Sequence, residues 1–532
     1  MKEYDIIAIG TGSAMNIVSP LLDQLPDIKV AVVESGPVGG ICLTRGCIPS
    51  KLILYPAELV ETIKQAKEFG ITVRIEDIDF EHIMNSMREN IGEDSQMITR
   101  GLQGSPNIDF YHSTGEFIAD HTMKVKDEVI KGKTILISSG SRPFIPNITG
   151  LKETGYLTST SFLKLKQRPQ SMAIIGGGYI AAEYGHFLAA MGSKVTIIGR
   201  NPQFVPQEEP EVSDLLKAKL SERMDILTGV EVKKVEKISG MKRVYGVMKG
   251  TGEEVIVEAE EILIAAGRAS YSKLLKPEKS GVKTDARGWI IVDDKMQTSQ
   301  PNIWAFGDAI GKHLFKHVAN MESQVAFYNA FTEHEMKVDY HAVPSAIFTS
   351  PEVASVGMRE AESREQGHNI LIGKYLYENT AKGQAIGAKD YFVKVLVDKA
   401  DSRILGAHII GPQASVLIQE IINLMNTPSG SWDPIGDGMH IHPALSEVVE
   451  RAFLNLYDPD AHLHQHSHDH QGHDHSHEHS DHGYDGHDHS HGNGHHDHSE
   501  HDHSDANNDH SHDHSPDHGG HDPPHGSHTS EH

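Results

Sequence analysis

The sequence predicts an α/β protein in which one structural unit occurs twice: a buried strand, a glycine-rich turn, a helix and a second strand. The first copy starts with residues 4–10 (YDIIAIG) and the second with residues 172–176 (MAIIG). Both runs are almost continuously apolar, which is typical of parallel strands covered on both faces. A third observation is the change of composition near Ala461, after which hardly any apolar residue follows. The folded part is therefore expected to be α/β and to end near this residue.

The first unit has the features of a fold that binds a dinucleotide. Its turn contains Gly10 and Gly12, which let the backbone approach a pyrophosphate at the start of a helix. The second strand, residues 29–34, ends in Glu34, whose carboxylate can accept hydrogen bonds from a ribose. Met15 stands where this turn usually has Gly or Ala, so we expect it to alter the packing of helix on strand more than the phosphate contact.

The second unit repeats the pattern but ends differently. Gly176, Gly178 and Ala181 occupy its three small positions. By strand register, Gly199 takes the place of the acid that ends the first unit, and Arg200 follows it. The loss of an acid beside a cation favours a 2′-phosphate, and hence NADPH over NADH. The alternative interpretation is that Arg200 is only a solvated surface residue.

The only two cysteines of the 532 residues, Cys42 and Cys47, lie five positions apart in a glycine-containing segment. The chain begins MKEYDIIAIG, without a basic and then apolar leader, which predicts a cytoplasmic protein. In a reducing compartment a disulfide is more often catalytic than structural. A zinc site needs about four ligands, and no second cysteine pair is present. We therefore predict a redox-active disulfide.

The charge of the chain excludes some partners. Of the formal net charge of −26, residues 462–532 carry −15, since they contain 15 Asp and Glu and no Lys or Arg. A moderately acidic folded part is a poor match for nucleic acid or an anionic membrane. No apolar run approaches the roughly 20 residues of a membrane span. We expect neither a nucleic-acid partner nor a membrane.

The C-terminal tail is rich in histidine. It holds 26 of the 38 histidines, alternating with Asp, Ser and Gly, and its only aromatic residue is Tyr484. Such a segment cannot form a core, and we predict that it is disordered. Neutral imidazoles at this density suit a divalent transition metal such as Cu, Ni, Zn or Co. The candidate ligands are His473, His475, His477, His479, His487, His489 and His491. Alternatives are a solubilising tail, or a metal store unrelated to catalysis.

Further motifs follow the two units in a fixed order. They are Ser139 to Pro143, Ala265 to Arg268, Asn302 to Asp308, Phe348 to Glu352, and His440 to Glu447. With these motifs, residues 4–458 resemble the flavoprotein disulfide reductases, a group that includes glutathione reductase, dihydrolipoamide dehydrogenase, mycothione reductase and mercuric reductase. The resemblance implies FAD on the first unit, NAD(P)H on the second, and electron flow from nicotinamide through flavin to the disulfide.

The resemblance also implies a domain order. We expect two Rossmann-like domains, an FAD domain split in sequence by an NAD(P) domain, then an α+β dimerisation domain with a helix from Ala414 to Met425. The expected boundaries are 1–147 and 276–340 for the two parts of the FAD domain, 148–275 for the NAD(P) domain, 341–458 for the dimerisation domain and 459–532 for the tail.

Residue roles follow from the same resemblance. Cys47 is similar to the charge-transfer thiol beside the flavin, and Cys42 to the interchange thiol that attacks substrate. His442 resembles the acid–base histidine, held by Glu447 and supplied to the partner subunit, so the active site would require a homodimer. A thiol needs such a base because its ordinary pKa of about 8.5 leaves it mostly protonated at neutral pH.

Other positions are implied near the cofactors. Lys51 and Glu183 resemble a pair near flavin N5, and Tyr179 resembles a gate over the nicotinamide. The expected cofactor-binding residues are Gly10, Gly12, Glu34, Gly140, Gly176, Gly178, Tyr179, Arg200, Gly267, Asp308 and Ala319. Arg45 departs from the family, which commonly has Asn-Val before the glycine. It would lower a thiol pKa or bind an anionic substrate, or else point to solvent.

The absence of a second cysteine pair limits the classes of substrate that the chain is expected to use. Mercuric reductases usually carry an extra cysteine pair near the C-terminus, which is missing here, while His442 and Pro443 are kept. This favours an NAD(P)H-dependent reductase of a small disulfide, with motifs most like those of mycothione reductase. Alternatives are a dihydrolipoamide dehydrogenase, a Cu(II) or Hg(II) reductase fed by the tail, and a non-enzymatic metal buffer. The intact cysteines and His442 argue against the last.

Overall fold

The computed structural model describes residues 1–461 of the chain. The predictions made for the tail, including its disorder and the metal ligands from His473 to His491, lie outside the described residues. Within residues 1–461, no helix is both long and apolar enough to cross a membrane.

The N-terminal stretch forms the first sheet and the helices that cover it. Its elements are β1 (Lys2–Ile9), α1 (Met15–Gln24), β2 (Val30–Glu34), α2 (Gly40–Arg45), α3 (Cys47–Gln65), α4 (Phe80–Gly104), β3 (Ile108–His112), β4 (Gly115–Ala119), β5 (Thr122–Val125), β6 (Glu128–Ile137) and β7 (Ser141–Pro143).

The next stretch forms a second parallel sheet and a three-stranded antiparallel sheet. Its elements are α5 (Leu151–Thr154), β8 (Leu157–Thr158), α6 (Ser159–Phe162), β9 (Ser171–Ile175), α7 (Tyr179–Ala190), β10 (Lys194–Ile198), α8 (Pro210–Ser221), β11 (Asp225–Leu227), β12 (Val230–Ile238), β13 (Met241–Met248), β14 (Glu254–Ala259), β15 (Glu261–Ile264) and β16 (Arg268–Ser270).

The remaining stretch returns to the first sheet and then builds a third one. Its elements are α9 (Ser272–Leu275), β17 (Ile303–Ala305), α10 (Lys316–Phe331), β18 (Pro344–Ile347), β19 (Glu352–Gly357), α11 (Glu360–Glu365), β20 (Ile370–Leu376), α12 (Ala381–Ala385), β21 (Phe392–Asp398), β22 (Ile404–Gly411), α13 (Ala414–Met425), α14 (Asp433–Asp437), α15 (Glu447–Leu454) and β23 (Leu456–Tyr457).

The first sheet has the order β3-β2-β1-β6-β5-β4, and β17 lies beside β6. Strands β1, β2, β3, β6 and β17 pair in parallel, and the centre of the sheet is fully buried, as at Ile7 and Ala8. Because β17 pairs with β6, the chain returns to this sheet after completing the second one. Met15 begins α1 and packs against the same core, partly buried.

The second parallel sheet has the order β11-β10-β9-β15-β8. In the first unit the Gly10 N–H donates to the carbonyl of Val33, and in the second the Gly176 N–H donates to the carbonyl of Ile198. The residue after each acceptor is therefore equivalent, which confirms the predicted register of Gly199. Each first strand ends one residue earlier than predicted, because its glycine already belongs to the turn.

The third sheet is antiparallel in the order β18-β19-β22-β21-β20-β23. Helix α13 spans Ala414–Met425, the bounds predicted from the sequence, and buries Ile418 and Ile421 in the core shared with this sheet. Helix α15 buries Val448 and Phe453 in the same core. The chain is thus an α/β protein with two dinucleotide-type folds and a C-terminal α+β domain.

Candidate active site

The two cysteines lie on either side of a helix break. Cys42 is in α2 and Cys47 is the first residue of α3, with Gly46 between them. In one continuous helix, residues five apart are rotated by about 140° and do not face each other. Gly46 interrupts the helix with φ −138° and ψ −113°, and a Cβ there would lie 2.9 Å from the Ile41 carbonyl oxygen. The break brings the thiols into contact.

Cys42 and Cys47, the predicted redox pair, are both free thiols in the structure. The hydrogen bond from the Cys47 thiol, against the effect of burial, lowers the pKa of Cys42 to about 7, and the charge of Lys316 acts in the same direction. The same hydrogen bond and burial raise the pKa of Cys47. Cys42 therefore loses its proton before Cys47.

The cysteine segment packs directly on the first dinucleotide turn. Gly40 has a φ of +75°, and a Cβ on it would lie 2.7 Å from the Cα of Gly12. Only a glycine allows α2 and the turn to approach this closely. This contact places the thiols next to the site predicted for FAD.

Two cavities meet at the thiols. The smaller one, of about 110 Å³, is lined by Gly12, Glu34, Gly140, Ala319 and the two cysteines. The larger one, of about 710 Å³, is lined by Lys51, Tyr179, Glu183 and both cysteines. Residues that line both cavities include Cys42, Arg45, Cys47, Asp308, Phe315 and Lys316. Most of the predicted site residues are thus gathered in one cleft.

Lys51 and Glu183 form an ion pair that joins three parts of the chain. The Lys51 Nζ atom donates to both Glu183 carboxylate oxygens, at 2.9 and 3.0 Å. Glu183 is only 5% exposed and also accepts a hydrogen bond from the Phe348 backbone N–H at 3.1 Å. The Lys51 ammonium lies 4.3 Å from the centre of the Phe348 ring. The pair links α3, α7 and the segment before β19.

Glu34 and Asp308 are both held in place on the FAD side. The Glu34 carboxylate accepts hydrogen bonds from the backbone N–H and hydroxyl of Thr11, at 3.0 and 2.9 Å, and from the Gly36 N–H at 2.7 Å. Asp308 accepts a hydrogen bond from the Ser141 hydroxyl, and its carboxylate lies 3.6 Å from Arg268 Nε. These contacts fix both carboxylates at the wall of the smaller cavity.

The second dinucleotide unit, predicted to bind NAD(P)H, also has a glycine turn packed closely against neighbouring backbone. A Cβ on Gly176 would lie 2.1 Å from the Ala265 carbonyl oxygen, whereas a Cβ on Gly178 would meet nothing within 4 Å, so space remains for a phosphate. Tyr179 lies in the larger cavity, and burial raises the pKa of its hydroxyl to about 12. Arg200 is exposed, and Gly267 precedes β16 with a φ of +112°. Five predicted cofactor residues line neither of the two cavities: Gly10, Gly176, Gly178, Arg200 and Gly267.

His442 and Glu447 form a pair away from these cavities. The His442 ring shares a hydrogen bond of 2.8 Å between Nδ1 and a Glu447 oxygen, and the Ala444 N–H donates to the other oxygen at 3.1 Å. Both contacts lower the pKa of Glu447. The His442 side chain is 72% exposed and lines neither cavity. His440 is instead half-buried, with its Nε2 atom 3.5 Å from Glu420.

The cleft also contains residues that the sequence did not single out. Phe315 lies beside Tyr179, with ring centres 6.3 Å apart. Lys316 is the first residue of α10, three residues before the predicted cofactor residue Ala319, which is the signal that could have found it. Arg45, for which the sequence left three interpretations open, is half-buried in the cleft instead of pointing to solvent. Lys316, rather than Arg45, is the cation that most lowers the pKa of Cys42.

Comparison with known proteins places this geometry in a family. The model described as pyridine nucleotide-disulphide oxidoreductase matches residues 4–327, and the model of the dimerisation domain of such proteins matches residues 343–453. The chain is 32% identical over 473 residues to a mycothione reductase of Mycobacterium tuberculosis, covering 86% of this chain and 100% of that protein. It is 33% identical over 479 residues to a dihydrolipoyl dehydrogenase of Chlamydia muridarum, covering 87% and 98%.

A solved structure shows the same architecture. The Cu(II) complex of the HOCl-induced flavoprotein disulfide reductase RclA from Escherichia coli matches with a TM-score of 0.76 and 26% identity, covering 85% of this chain and 99% of that one. A mercuric reductase of Staphylococcus aureus is 31% identical over 417 residues, covering 78% of this chain and 76% of that protein. The chain belongs to the pyridine nucleotide-disulphide oxidoreductase family and is a flavoprotein disulfide oxidoreductase.

Proposed function

We propose that the chain is an NADPH-dependent, FAD-containing reductase of a small disulfide, with Cys42 and Cys47 as its redox centre. The observation that carries the proposal is the position of both thiols on the wall of one cleft, brought together by the helix break at Gly46. The relatives named mycothione reductase and dihydrolipoyl dehydrogenase support a small sulfur-containing substrate. Glu34, Gly140, Asp308 and Ala319 would hold FAD.

The chemistry needs one hydride and one further proton. A hydride brings two electrons and one proton to the Cys42–Cys47 disulfide, whose S–S bond breaks to leave one thiol and one thiolate. FAD, when bound, supplies the carrier of two electrons between nicotinamide and sulfur. The Cys42 thiolate attacks one sulfur of the substrate, and a mixed disulfide forms as the substrate S–S bond breaks. Cys47 then displaces the second product, whose proton comes from the Cys47 thiol, while the first product takes its proton from His442.

The position of His442 supports a homodimer. Its imidazole is held by Glu447 in the orientation that an acid–base group needs, yet it faces solvent and not the thiols of its own chain. The neighbouring Met439 and Ile441 are 102% and 78% exposed, which is unusual for large apolar side chains outside an interface. The match to a dimerisation domain agrees with this. We propose that His442 of the partner subunit completes each active site.

NADPH is the proposed reductant because Arg200 is available for a phosphate. Gly199 provides no carboxylate at the end of β10 to bind a ribose 2′-hydroxyl. In the part of the chain that the structure describes, no carboxylate lies within 4 Å of the Arg200 guanidinium. The nearby Glu231 is paired with Lys233 at 2.7 Å. A higher kcat/KM for NADH than for NADPH would contradict this assignment.

A catalytic thiol pair that cycles through its reduced form fits a reducing compartment, and we propose a cytoplasmic location. Fractionation of the source cells checks it. Recovery of the enzyme outside the cytoplasm would contradict the assignment.

The main test is anaerobic oxidation of NADPH in the presence of a panel of small disulfides and lipoamide. We expect rapid turnover of one disulfide, and its loss in Cys42→Ser and Cys47→Ser, while NADPH still bleaches the yellow flavin in both variants. Faster reduction of NAD⁺ by dihydrolipoamide than of any disulfide by NADPH would instead indicate a dihydrolipoamide dehydrogenase. A colourless preparation that cannot be loaded with FAD would support the non-enzymatic metal buffer.

A second candidate function is reduction of Cu(II), because the matching RclA structure is a Cu(II) complex. Residues 1–461 contain no cluster of three or more His, Cys, Asp or Glu that could hold a metal ion. Binding of Cu, Ni, Zn or Co to the histidine-rich tail is therefore a proposal from sequence alone. It should weaken below about pH 6.5, where imidazoles become protonated. Equal metal uptake by full-length and tail-deleted protein in calorimetry would contradict it, and turnover of Cu(II) or Hg(II) only would identify a metal reductase.

A further inference from the structure

Lys316 is a half-buried cation in the cleft without a countercharge. Its Nζ atom donates to the Ser13 hydroxyl at 3.1 Å and to the Asn320 side-chain oxygen at 2.6 Å, and both of these acceptors are neutral. Among the described residues 1–461, no carboxylate lies within 4 Å of it. A partly buried charge is costly unless an opposite charge lies near it, and burial lowers the pKa of this lysine. Its ammonium group is therefore free to interact with an anion in the cleft.

The other charges around the thiols are already compensated or lie elsewhere. Lys51 is paired with Glu183 at 2.9 Å, and Arg268 lies 3.6 Å from Asp308. Arg45 extends toward the turn after β2, with its Nη1 atom 3.1 Å from the position that a Cβ on Gly36 would occupy. The titratable and charged groups that line the larger cavity are Arg45, Lys51, Tyr179, Tyr184, Glu183, Arg268, Asp308, Lys316 and His317. Of the four cations in this set, Lys51 and Arg268 lie near carboxylates and Arg45 extends away, whereas Lys316 lines both cavities with the two cysteines and its charge lowers the pKa of Cys42.

We infer that Lys316 is a further residue of the redox centre, whose ammonium group stabilises the negative charge that reduction leaves on the Cys42–Cys47 pair. Breaking the disulfide with one hydride gives a thiol and a thiolate, so the pair gains one negative charge per turnover. Lys316 shares the walls of both cavities with both cysteines, and Ser13 and Asn320 hold its ammonium group there. This inference rests on the proposed use of the pair as the redox centre.

The test measures the thiol pKa in FAD-loaded, full-length enzyme reduced with NADPH under argon. The probe is iodoacetamide, a neutral reagent whose reaction rate follows the thiolate fraction. We expect the wild-type rate to rise with a midpoint near pH 7. In Lys316→Met the midpoint should rise by about one unit, which is about a tenfold slower reaction at pH 6. Lys316→Arg, which keeps the charge, should stay within about 0.3 unit of wild type.

Two further variants make the result specific. Arg45→Met removes a cation from the same two cavities and should leave the midpoint within about 0.3 unit. Asn320→Asp places a carboxylate against the Lys316 ammonium, compensates its charge, and should raise the midpoint in the same direction as Lys316→Met. Because Asn320 is exposed, this variant should fold even if Lys316→Met does not.

The outcomes separate this inference from the proposed function. If NADPH does not make either cysteine reactive, the assignment of Cys42 and Cys47 as the redox centre is wrong. The inference about Lys316 is then wrong as well. If the thiols react but the midpoint is the same in wild type, Lys316→Met and Asn320→Asp, only the inference is overturned. Loss of FAD from Lys316→Met on ultrafiltration, with an unchanged thiol midpoint in Asn320→Asp, would show that the lysine pairs with the cofactor pyrophosphate instead, and would also overturn it.

Discussion

The close approach of Gly40 to Gly12 makes a sharp prediction about FAD binding. A Cβ on Gly40 would lie 2.7 Å from the Cα of Gly12, about 0.7 Å inside an ordinary contact of 3.4 Å. The neighbouring atom is backbone, so α2 and the dinucleotide turn must move apart. Overpacking of this kind costs about 1–3 kcal/mol, and the φ of +75° adds about 1 kcal/mol for any residue with a side chain.

A matched control is available at Gly70. Its φ is +77°, almost that of Gly40, but a Cβ there meets nothing within 4 Å. Gly70→Ala therefore carries the backbone strain without the clash, and the difference between the two variants isolates the contact with the turn. If about 1.4–2.8 kcal/mol of the overpacking falls on the FAD-bound state, Gly40→Ala weakens FAD binding by about tenfold to a hundredfold.

The assay is quenching of flavin fluorescence when apoprotein is titrated with FAD, together with thermal melts of both variants. We expect Gly70→Ala to bind FAD within about twofold of wild type, since its strain is present with and without the cofactor. Gly40→Ala should show the weaker affinity and a thiol pair that reacts more slowly with NADPH. Equal FAD affinities for the two alanine variants would refute the argument, because the strain alone would then account for both.

Three other predictions follow from single groups. Glu447→Gln removes the charge that orients His442, and should lower kcat for disulfide reduction at pH 7 by about tenfold or more while leaving NADPH oxidation by an artificial dye unchanged; equal losses with both acceptors would contradict it. Disulfide turnover should fall about fivefold between pH 7 and 6, because the pKa of Cys42 is lowered only to about 7 and the thiolate is lost below it; a flat profile in stopped-flow reduction would count against this. Burial raises the pKa of Glu322 to about 7, so the fold loses stability as pH rises from about 4.5 to 7 and then levels off; the melting temperature of Glu322→Gln minus that of wild type should grow over this window, and a constant difference would show that the carboxyl is already ionised at low pH.

The framework of the fold could be read from the sequence because it depends on local patterns. The register that makes Gly199 equivalent to Glu34 follows from aligning the ends of the two second strands, and the backbone hydrogen bonds of Gly10 and Gly176 agree with it. The helix Ala414–Met425 is expected from the family resemblance, and the structure has the same bounds. Such features need only the order of residues along the chain.

Which cations of the cleft lie near a carboxylate could not be predicted from local sequence patterns. Arg45 and Lys316 are both cations in or beside recognised motifs, and nothing in their spacing tells which of them has a countercharge. The direction of Arg45 depends on how α2 packs against the turn after β2, and the surroundings of Lys316 depend on residues about 300 positions away, such as Ser13. The role of His442 was inferred from its motif, but its exposure is a property of the folded chain.

This difference bears on how the redox centre works. Lys51 is bound by the buried carboxylate of Glu183, so its charge is already compensated before any electron arrives. Arg268 is likewise close to Asp308. Lys316, in contrast, has no carboxylate within 4 Å among the described residues 1–461, and it lines the same cavities as the thiol pair, which becomes anionic on reduction. Its charge favours the reduced pair over the disulfide and adds to the hydrogen bond from Cys47, which is the larger cause of the lowered pKa of Cys42. The base is then required for the proton of the leaving thiol, and not for the first attack.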